Sequence, residues 1–309
     1  MVRLGKTELF VSEIGLGADH FGTAVSEQEA TRILDAYLAA GGNFIDTANI
    51  YGKWVAGAGN ASERFLGKWR KTHPEAIIAT KGGHYTFDAP DRMRLSRQEI
   101  EVDLDESLLT LGVDTIDLYY LHRDDTEREI GEILDTMEDF VKAGKIRYYG
   151  ASNYTAKRLF EADAYAEKKG IVGFSAVSNR YSALCENPLP FGDPTLVSVG
   201  REELLFHCHS GLPLVPYQAT ARGYFTKLVE GRLSDGLIKQ YQNEKNEALY
   251  RELCAFCEEN ACSLQTATLV RTATAPFQIV PLTSVRAAEQ VRDIEDAMRL
   301  LSEFIGDTV

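Results

Sequence analysis

Asp46, Lys81 and His122 end three successive apolar runs of the sequence, and Tyr51 follows the first of them closely. A lysine beside a tyrosine favours the phenolate, so we expect Lys81 to lower the phenol pKa from its ordinary value of about 10. Tyr51 would then serve as a general acid near neutral pH, while His122 forms a hydrogen bond with the same substrate oxygen. This set suits protonation of a carbonyl oxygen as hydride arrives at the carbon.

Each of these side chains, taken alone, also has an ordinary structural explanation. Asp46 could cap a helix or pair with a cation, Lys81 could extend to water from a strand end, and Tyr51 could be a rim aromatic. A lone His122 would more often be a half-buried, hydrogen-bonded histidine. The chemical interpretation depends on the groups emerging from consecutive strands at one rim.

Short β-branched and aromatic runs alternate with amphipathic helical stretches along the chain. The eight predicted strands are residues 11–17, 43–47, 76–81, 116–122, 146–152, 173–179, 212–217 and 278–283. Capping-box patterns at Ser26 with Glu29 and at Ser96 with Glu99 begin two of the helices. A repeat of about 30 residues predicts a parallel (β/α)8 TIM barrel, with one domain over residues 1–309. Residues 4–11 are expected to form a β-hairpin that caps the barrel bottom.

A doubly wound parallel sheet is the main alternative fold. Such a sheet usually carries G-x-G-x-x-G after its first strand, whereas this chain has GLGADHFG at residues 15–22. The mismatch favours the barrel. Its catalytic residues would lie at the carboxyl ends of the strands, together with the long connections 184–199 and 218–243, where we expect substrate specificity to arise.

Five segments resemble the aldo-keto reductase family, and the resemblance covers nearly the whole chain. They read VSEIGLG at 11–17, NFIDTA at 43–48, SERFLG at 62–67, LGVDTIDL at 111–118 and GKIRYYGASN at 144–153. The resemblance implies a TIM barrel that reduces a small aldehyde or ketone with NAD(P)H. Within the family, the chain is similar to bacterial reductases, monomeric or in small oligomers, of loosely defined substrate.

The resemblance also implies a role for each matching residue. Tyr51 would be the proton donor, Asp46 and Lys81 the pair that tunes it, and His122 the residue that orients the carbonyl. The nicotinamide end of the cofactor would contact Ser152 and Asn153 through its carboxamide and stack on Tyr217.

Three positions depart from the family pattern. The family usually has glutamine where this chain has Ser178, which still offers a donor and an acceptor but is shorter. Asn179 could replace it only if the strand shifted by one residue. At the other end of the cofactor, Ser284 and Arg286 could hold a 2′-phosphate, assisted by the following helix N-terminus. Two further family positions are Gln290, which is commonly basic or an amide in the family, and Ile294, where the family has an asparagine that contacts adenine. With Ser284 and Arg286 present we expect NADP, with NAD as the alternative.

Composition limits the partners of the chain. The 309 residues carry a formal charge of −13, which argues against nucleic acid as a partner. The N-terminus has no apolar signal segment, and no apolar run is long enough to span a membrane, so we expect a cytoplasmic, soluble protein. We expect no metal site, because Cys254 and Cys257 lie in a predicted helix without a second pair, and alternation would separate His207 from His209.

Other side chains on the active face are candidates for contacts with substrate or cofactor. His20 and His84 follow strands and would contact substrate or cofactor, or simply make loop hydrogen bonds. Trp54 is a candidate pocket wall. Further apolar walls are expected from Tyr85, Phe87, Tyr181 and Phe191.

Two other functional classes compete with the reductase. A lyase or aldolase would use Lys81 as a Schiff-base nucleophile, which a barrel-strand lysine permits. A cofactor-sensing partner subunit would bind the nucleotide with little turnover. The spacing of Asp46 and Tyr51 favours the reductase over the lyase or aldolase. The presence of all four catalytic residues argues against the partner subunit.

Overall fold

The computed structural model describes residues 1–188 and 192–306, so the predicted pocket wall Phe191 lies outside the described residues. Within these ranges there are nine strands. They are β1 (Val2–Arg3), β2 (Phe10–Val11), β3 (Gly15–Gly17), β4 (Phe44–Asp46), β5 (Ile77–Gly82), β6 (Ile116–Leu121), β7 (Ile146–Ser152), β8 (Val177–Ser178) and β9 (Leu282–Thr283).

The α-helices of the described residues connect these strands and flank them. They are α1 (Glu27–Ala39), α2 (Ala61–Arg70), α3 (Arg97–Leu111), α4 (Ile130–Lys142), α5 (Ala156–Lys169), α6 (Arg201–Ser210), α7 (Tyr224–Val229), α8 (Asp235–Tyr241), α9 (Glu244–Asn260), α10 (Leu264–Ala273) and α11 (Val291–Gly306). Ser26 caps α1 by accepting from the Glu29 amide, and Ser96 and Glu99 form the full capping box of α3. Both predicted helix starts are therefore confirmed.

Seven parallel strands form a curled sheet in the order β8-β7-β6-β5-β4-β3-β9. The predicted seventh strand, 212–217, lies between the two sheet edges and pairs only through single bridges. The Val177 amide donates to Pro213 O (3.0 Å), and the Leu214 amide donates to Gln278 O (3.0 Å). Pro213 and Pro216 lack amide hydrogens, which explains the irregular pairing. The predicted (β/α)8 barrel is confirmed.

Two apolar clusters stabilise the barrel. The larger one lies between the strands and the surrounding helices. The smaller one fills the barrel interior and contains Phe44, Leu118 and Tyr120. Leu4 and Leu9, from the antiparallel hairpin of β1 and β2, are buried in the same interior cluster. The hairpin therefore caps the barrel bottom as expected.

Residues 218–243 contain more regular structure than the sequence predicts. A 3-10 turn (Ala221–Gly223) leads into α7, and α8 follows. Tyr224, Phe225, Leu237 and Tyr241 from this segment are buried in a third apolar cluster. The segment is thus anchored beside the carboxyl ends of the strands. Within residues 1–188 and 192–306, no helix has the length and apolar character needed to cross a membrane.

Candidate active site

The carboxyl ends of β4, β5 and β6 bring Asp46, Lys81 and His122 together. The Lys81 ammonium donates to the Asp46 carboxylate, to Thr47 O (2.9 Å) and to the Tyr51 hydroxyl (3.4 Å). Asp46 and Lys81 are both buried. All four predicted catalytic residues therefore form one cluster, with Tyr51 on the turn that follows β4.

Tyr51 lies among aromatic rings as well as beside the lysine. Its ring centroid is 5.9 Å from that of His122 and 5.8 Å from that of Trp54, and both contacts are edge-on. The Lys81 ammonium lies 5.1 Å from the Tyr51 ring centroid. These contacts fix the phenol between the cation and the imidazole.

The pKa of Tyr51 is raised well above its ordinary value, chiefly by burial and then by the charges of Asp46 and Asp19; Arg123 opposes the shift. The sequence-based expectation of a lowered pKa is wrong for this structure, because loss of hydration outweighs the neighbouring cation. At neutral pH the phenol therefore keeps its proton, as a proton donor must.

The imidazole of His122 is neutral near pH 7. Burial, followed by the positive charge of Arg123, lowers its pKa well below the usual range. Its Nδ1 is buried and has no hydrogen-bond partner among the described residues. Burial also raises the pKa of Asp46, and the charge of Lys81 opposes that shift.

The residues predicted to hold a nicotinamide lie next to His122. Ser152 donates to Ser178 O (2.7 Å), and Asn153 Nδ2 donates to His122 O (3.1 Å). Tyr217 donates its hydroxyl proton to Asn153 Oδ1 (2.6 Å). Asn153 adopts a left-handed backbone (φ 63°), which asparagine tolerates better than most residues.

The choice between Ser178 and Asn179 is decided by strand register. Ser178 pairs with Ser152, and its buried hydroxyl has no partner in the described part of the chain. The side-chain Oδ1 of Asn179 accepts from the backbone amides of Asn153 (2.7 Å) and Tyr154 (3.2 Å), and its Nδ2 donates to Tyr154 O (2.7 Å). Asn179 is thus committed to the turn after β7, whereas Ser178 keeps hydrogen-bonding capacity.

A cavity of about 870 Å³ connects the catalytic cluster with the predicted phosphate site. Asp46, Tyr51 and Tyr217 line one part of it, and Ser284 and Arg286 line another. The departures from the family pattern, Gln290 and Ile294, also line it.

The phosphate end differs from the sequence expectation in one respect. Gln290 Oε1 accepts from the amides of Arg286 (2.8 Å) and Ala287 (3.1 Å), so these amides of the helix N-terminus are already occupied. That this helix end assists phosphate binding stays a prediction, and Gln290 would have to release these two amides for them to contribute. Ser284 donates to Asp19 Oδ1 (2.7 Å), while the guanidinium of Arg286 lies near His20 (3.5 Å).

Sequence reasoning missed three cations that line the same cavity, namely Arg222, Lys227 and Arg232. Burial lowers the pKa of Lys227, and the charges of Arg222, Arg232 and Arg286 lower it further. Three arginines are thus close enough to Lys227 to affect its ionisation. Their even spacing within residues 218–243 could have indicated an anion-binding segment, but the sequence analysis treats these residues only as a connection.

Arg123 was also missed, although it directly follows His122. It is buried, and it donates to His122 O (2.9 Å), Thr195 Oγ1 (2.8 Å) and Asp193 Oδ2 (3.1 Å). Asp193 also accepts from the Tyr85 hydroxyl (2.9 Å). Arg123 therefore ties the described part of the 184–199 connection to the rim of the site.

The side chains discounted as metal ligands are accounted for by the fold. Cys254 and Cys257 lie in α9, and His207 is buried with Nδ1 2.7 Å from Leu212 O. Within the described ranges, no group of three or more His, Cys, Asp or Glu is arranged to hold a metal ion.

Comparison with known proteins identifies the family of the chain. The family model for the aldo/keto reductase family matches residues 13–307. The uncharacterized oxidoreductase YrpG of Bacillus subtilis is 30% identical over 96% of this chain and 90% of its own length. Norsolorinic acid reductase stcV of Emericella nidulans is 27% identical over 91% and 72%, and aldo-keto reductase ausK of Aspergillus calidoustus is 27% identical over 94% and 75%. The chain therefore belongs to the aldo/keto reductase family, and it is an oxidoreductase.

Proposed function

We propose that this protein reduces an aldehyde or ketone to the alcohol with NADPH, with Tyr51 as the proton donor. Family membership supports the oxidoreductase class, and one relative is named as a reductase of norsolorinic acid. One observation carries the proposal: a protonated phenol lies against the Lys81 ammonium, beside a neutral His122, on the wall of a large cavity.

The residues present fit a nicotinamide dinucleotide. The unpartnered buried hydroxyl of Ser178 lies next to Ser152, where a carboxamide could take up its hydrogen-bonding capacity. At the other end, Arg222, Lys227, Arg232 and Arg286 offer charge to phosphates. A nicotinamide cofactor bound along this cavity would supply the hydride. Four cations favour NADP, and NAD remains the alternative.

Residues of the chain would supply the proton and stabilise the charge that remains after its transfer. Tyr51 donates its hydroxyl proton to the carbonyl oxygen as negative charge develops there. The neutral His122 donates a second hydrogen bond to the same oxygen and so orients the carbonyl. Lys81 then stabilises the phenolate that remains, and Asp46 holds the ammonium in place.

The test is Tyr51→Phe, which keeps the ring contacts with Trp54 and His122 but removes the proton. We expect kcat for carbonyl reduction to fall by about 10²–10⁴-fold, with NADPH affinity by fluorescence titration near the wild-type value. Reduction at the wild-type rate with cofactor still bound would refute the role of Tyr51.

The same experiments address the alternative functions. Lys81 is buried and engaged by three acceptors, which disfavours its use as a Schiff-base nucleophile. Borohydride trapping of a substrate adduct on Lys81 would reverse that conclusion. Tight nucleotide retention with negligible turnover over a broad carbonyl panel would favour the cofactor-sensing subunit.

A further inference from the structure

A row of aromatic rings extends from the proton donor in both directions. Beyond His122, the next ring is His84, 4.9 Å away between centroids and edge-on. Phe87 follows at 6.1 Å from His84, and Trp54 flanks Tyr51 on the other side. Trp54 and Phe87 are 46% and 52% exposed, which is high for such large apolar side chains. The row therefore offers an apolar surface to a flat ligand held at Tyr51.

The hydrogen-bond pattern fixes which nitrogen of His84 carries the proton. His84 Nδ1 lies 2.7 Å from Tyr85 O, and a carbonyl oxygen can only accept. The proton is therefore on Nδ1. Burial, followed by the charge of Arg123, lowers the pKa of His84 to about 4, so the ring is neutral at pH 7. In a neutral ring with Nδ1 protonated, Nε2 is an acceptor.

No described residue donates to that acceptor. The nearby donor with most capacity, Arg123, directs its guanidinium to Thr195, Asp193 and the His122 carbonyl. Lys81 is likewise committed to its own three acceptors. His84 thus carries an unused acceptor on a ring in edge contact with His122, the imidazole proposed to orient the substrate carbonyl.

We propose that His84 is a specificity-determining residue that accepts a hydrogen bond from a substrate hydroxyl on the carbon adjacent to the one bearing the carbonyl group. Together with the ring surface, this selects ortho-hydroxyaryl aldehydes and ketones as the substrate class. The inference rests on the proposed carbonyl reduction. In such a compound the carbonyl oxygen and the ortho hydroxyl oxygen lie about one hydrogen-bond length apart. Neighbouring side chains must therefore serve the two oxygens, as the edge contact between His122 and His84 allows. Tyr51 and His122 donate to the carbonyl oxygen, and this releases the ortho hydroxyl proton to His84.

The experiment compares three aldehydes at neutral pH: benzaldehyde, 2-hydroxybenzaldehyde and 4-hydroxybenzaldehyde. The measured quantity is the ratio of kcat/KM for the 2-hydroxy compound to that for the 4-hydroxy compound. Comparing this ratio between variants cancels the intrinsic reactivity of each aldehyde. We expect His84→Phe, which keeps the ring but loses the acceptor, to lower the ratio by about tenfold.

Two further variants separate recognition from structure. His84→Gln restores an acceptor near the Nε2 position and should retain most of the preference, whereas the shorter His84→Asn should lose it even if the Phe variant folds poorly. Trp54→Leu removes ring surface, so it should lower kcat/KM for all three aldehydes by similar factors and leave the ratio unchanged.

An unchanged ratio in the Phe and Asn variants would overturn the role of His84 while leaving carbonyl reduction intact. If wild-type protein reduces other aldehydes or ketones with NADPH or NADH but none of these three, the inference fails and the proposed function stands. If it reduces no carbonyl compound of a broad panel, the proposed function fails, and the inference fails with it.

Discussion

Glu63 is a buried carboxyl group whose ionisation should make stability depend on pH. It lies in the first turn of α2 and is fully buried; it accepts from Thr80 Oγ1 (2.6 Å) and from Asn60 Nδ2 (3.2 Å). Burial raises its pKa from 4.5 to about 7, although hydrogen bonds from Thr80, Ser107 and Asn60 oppose the shift. A difference of this size corresponds to a free energy on the order of 3 kcal/mol.

The sign follows from proton binding. Between about pH 4.5 and pH 7 the folded state binds the proton on Glu63 more tightly than the unfolded state does, so the free energy of unfolding falls as pH rises through this window. Glu63→Gln removes the titration and keeps the shape. Relative to this variant, the wild type should lose on the order of 3 kcal/mol of stability from below pH 4.5 to pH 8.

The assay is urea unfolding at several pH values, followed by fluorescence. Trp69 is a suitable probe, since it is buried in α2. Glu106→Gln is the matched control. Although burial acts in the opposite direction, hydrogen bonds from Lys53 and Asn49 lower the pKa of Glu106, so its contribution should be lost on acidification instead. Parallel pH profiles for the wild type and Glu63→Gln would refute the reasoning.

Two further predictions concern the proposed site. Lys81→Met leaves Asp46 as an unpaired buried carboxylate and should lower the free energy of unfolding by about 3–5 kcal/mol, whereas Asp46→Leu combined with Lys81→Met should be less destabilised. Urea unfolding of the wild type, the two single variants and the double variant tests this. Losses of unfolding free energy that simply add in the double variant would contradict it. Arg286→Ala should weaken NADPH binding at least about tenfold more than NADH binding in fluorescence titrations. Equal losses of affinity for the two cofactors would show that Arg286 does not bind the 2′-phosphate.

The fold was largely predictable because its signals are local. Apolar runs and capping boxes such as that of Ser96 and Glu99 report secondary structure without knowledge of neighbours. Helices α7 and α8 were missed because each has too few residues to show a helical period. Their formation depends on burying Tyr224 and Tyr241 in an apolar cluster with residues that lie far away in the sequence. The irregular seventh strand could have been predicted from Pro213 and Pro216.

The sequence allowed us to predict which residues come together in the candidate site, but not the direction of their pKa shifts. Strand ends indicate which side chains meet, and Asp46, Lys81 and His122 do meet. The direction of the pKa shift at Tyr51 could not be predicted from the adjacent lysine, because desolvation depends on how deeply the fold buries the phenol. The tautomer of His84 was equally hidden, since it depends on the orientation of the Tyr85 carbonyl.

The net charge of −13 and the cations of the cavity describe different properties of the molecule. Cavity walls of low dielectric concentrate the field of Arg222, Lys227 and Arg286, whereas exposed acids are screened within about 10 Å at ordinary salt. The pKa of Lys227 is lowered first by burial and then by the charges of Arg222, Arg232 and Arg286, so these arginines repel its charge. A phosphate bound among them would relieve that repulsion. An acidic chain can therefore bind a highly anionic nucleotide at one place, while its remaining surface repels other polyanions.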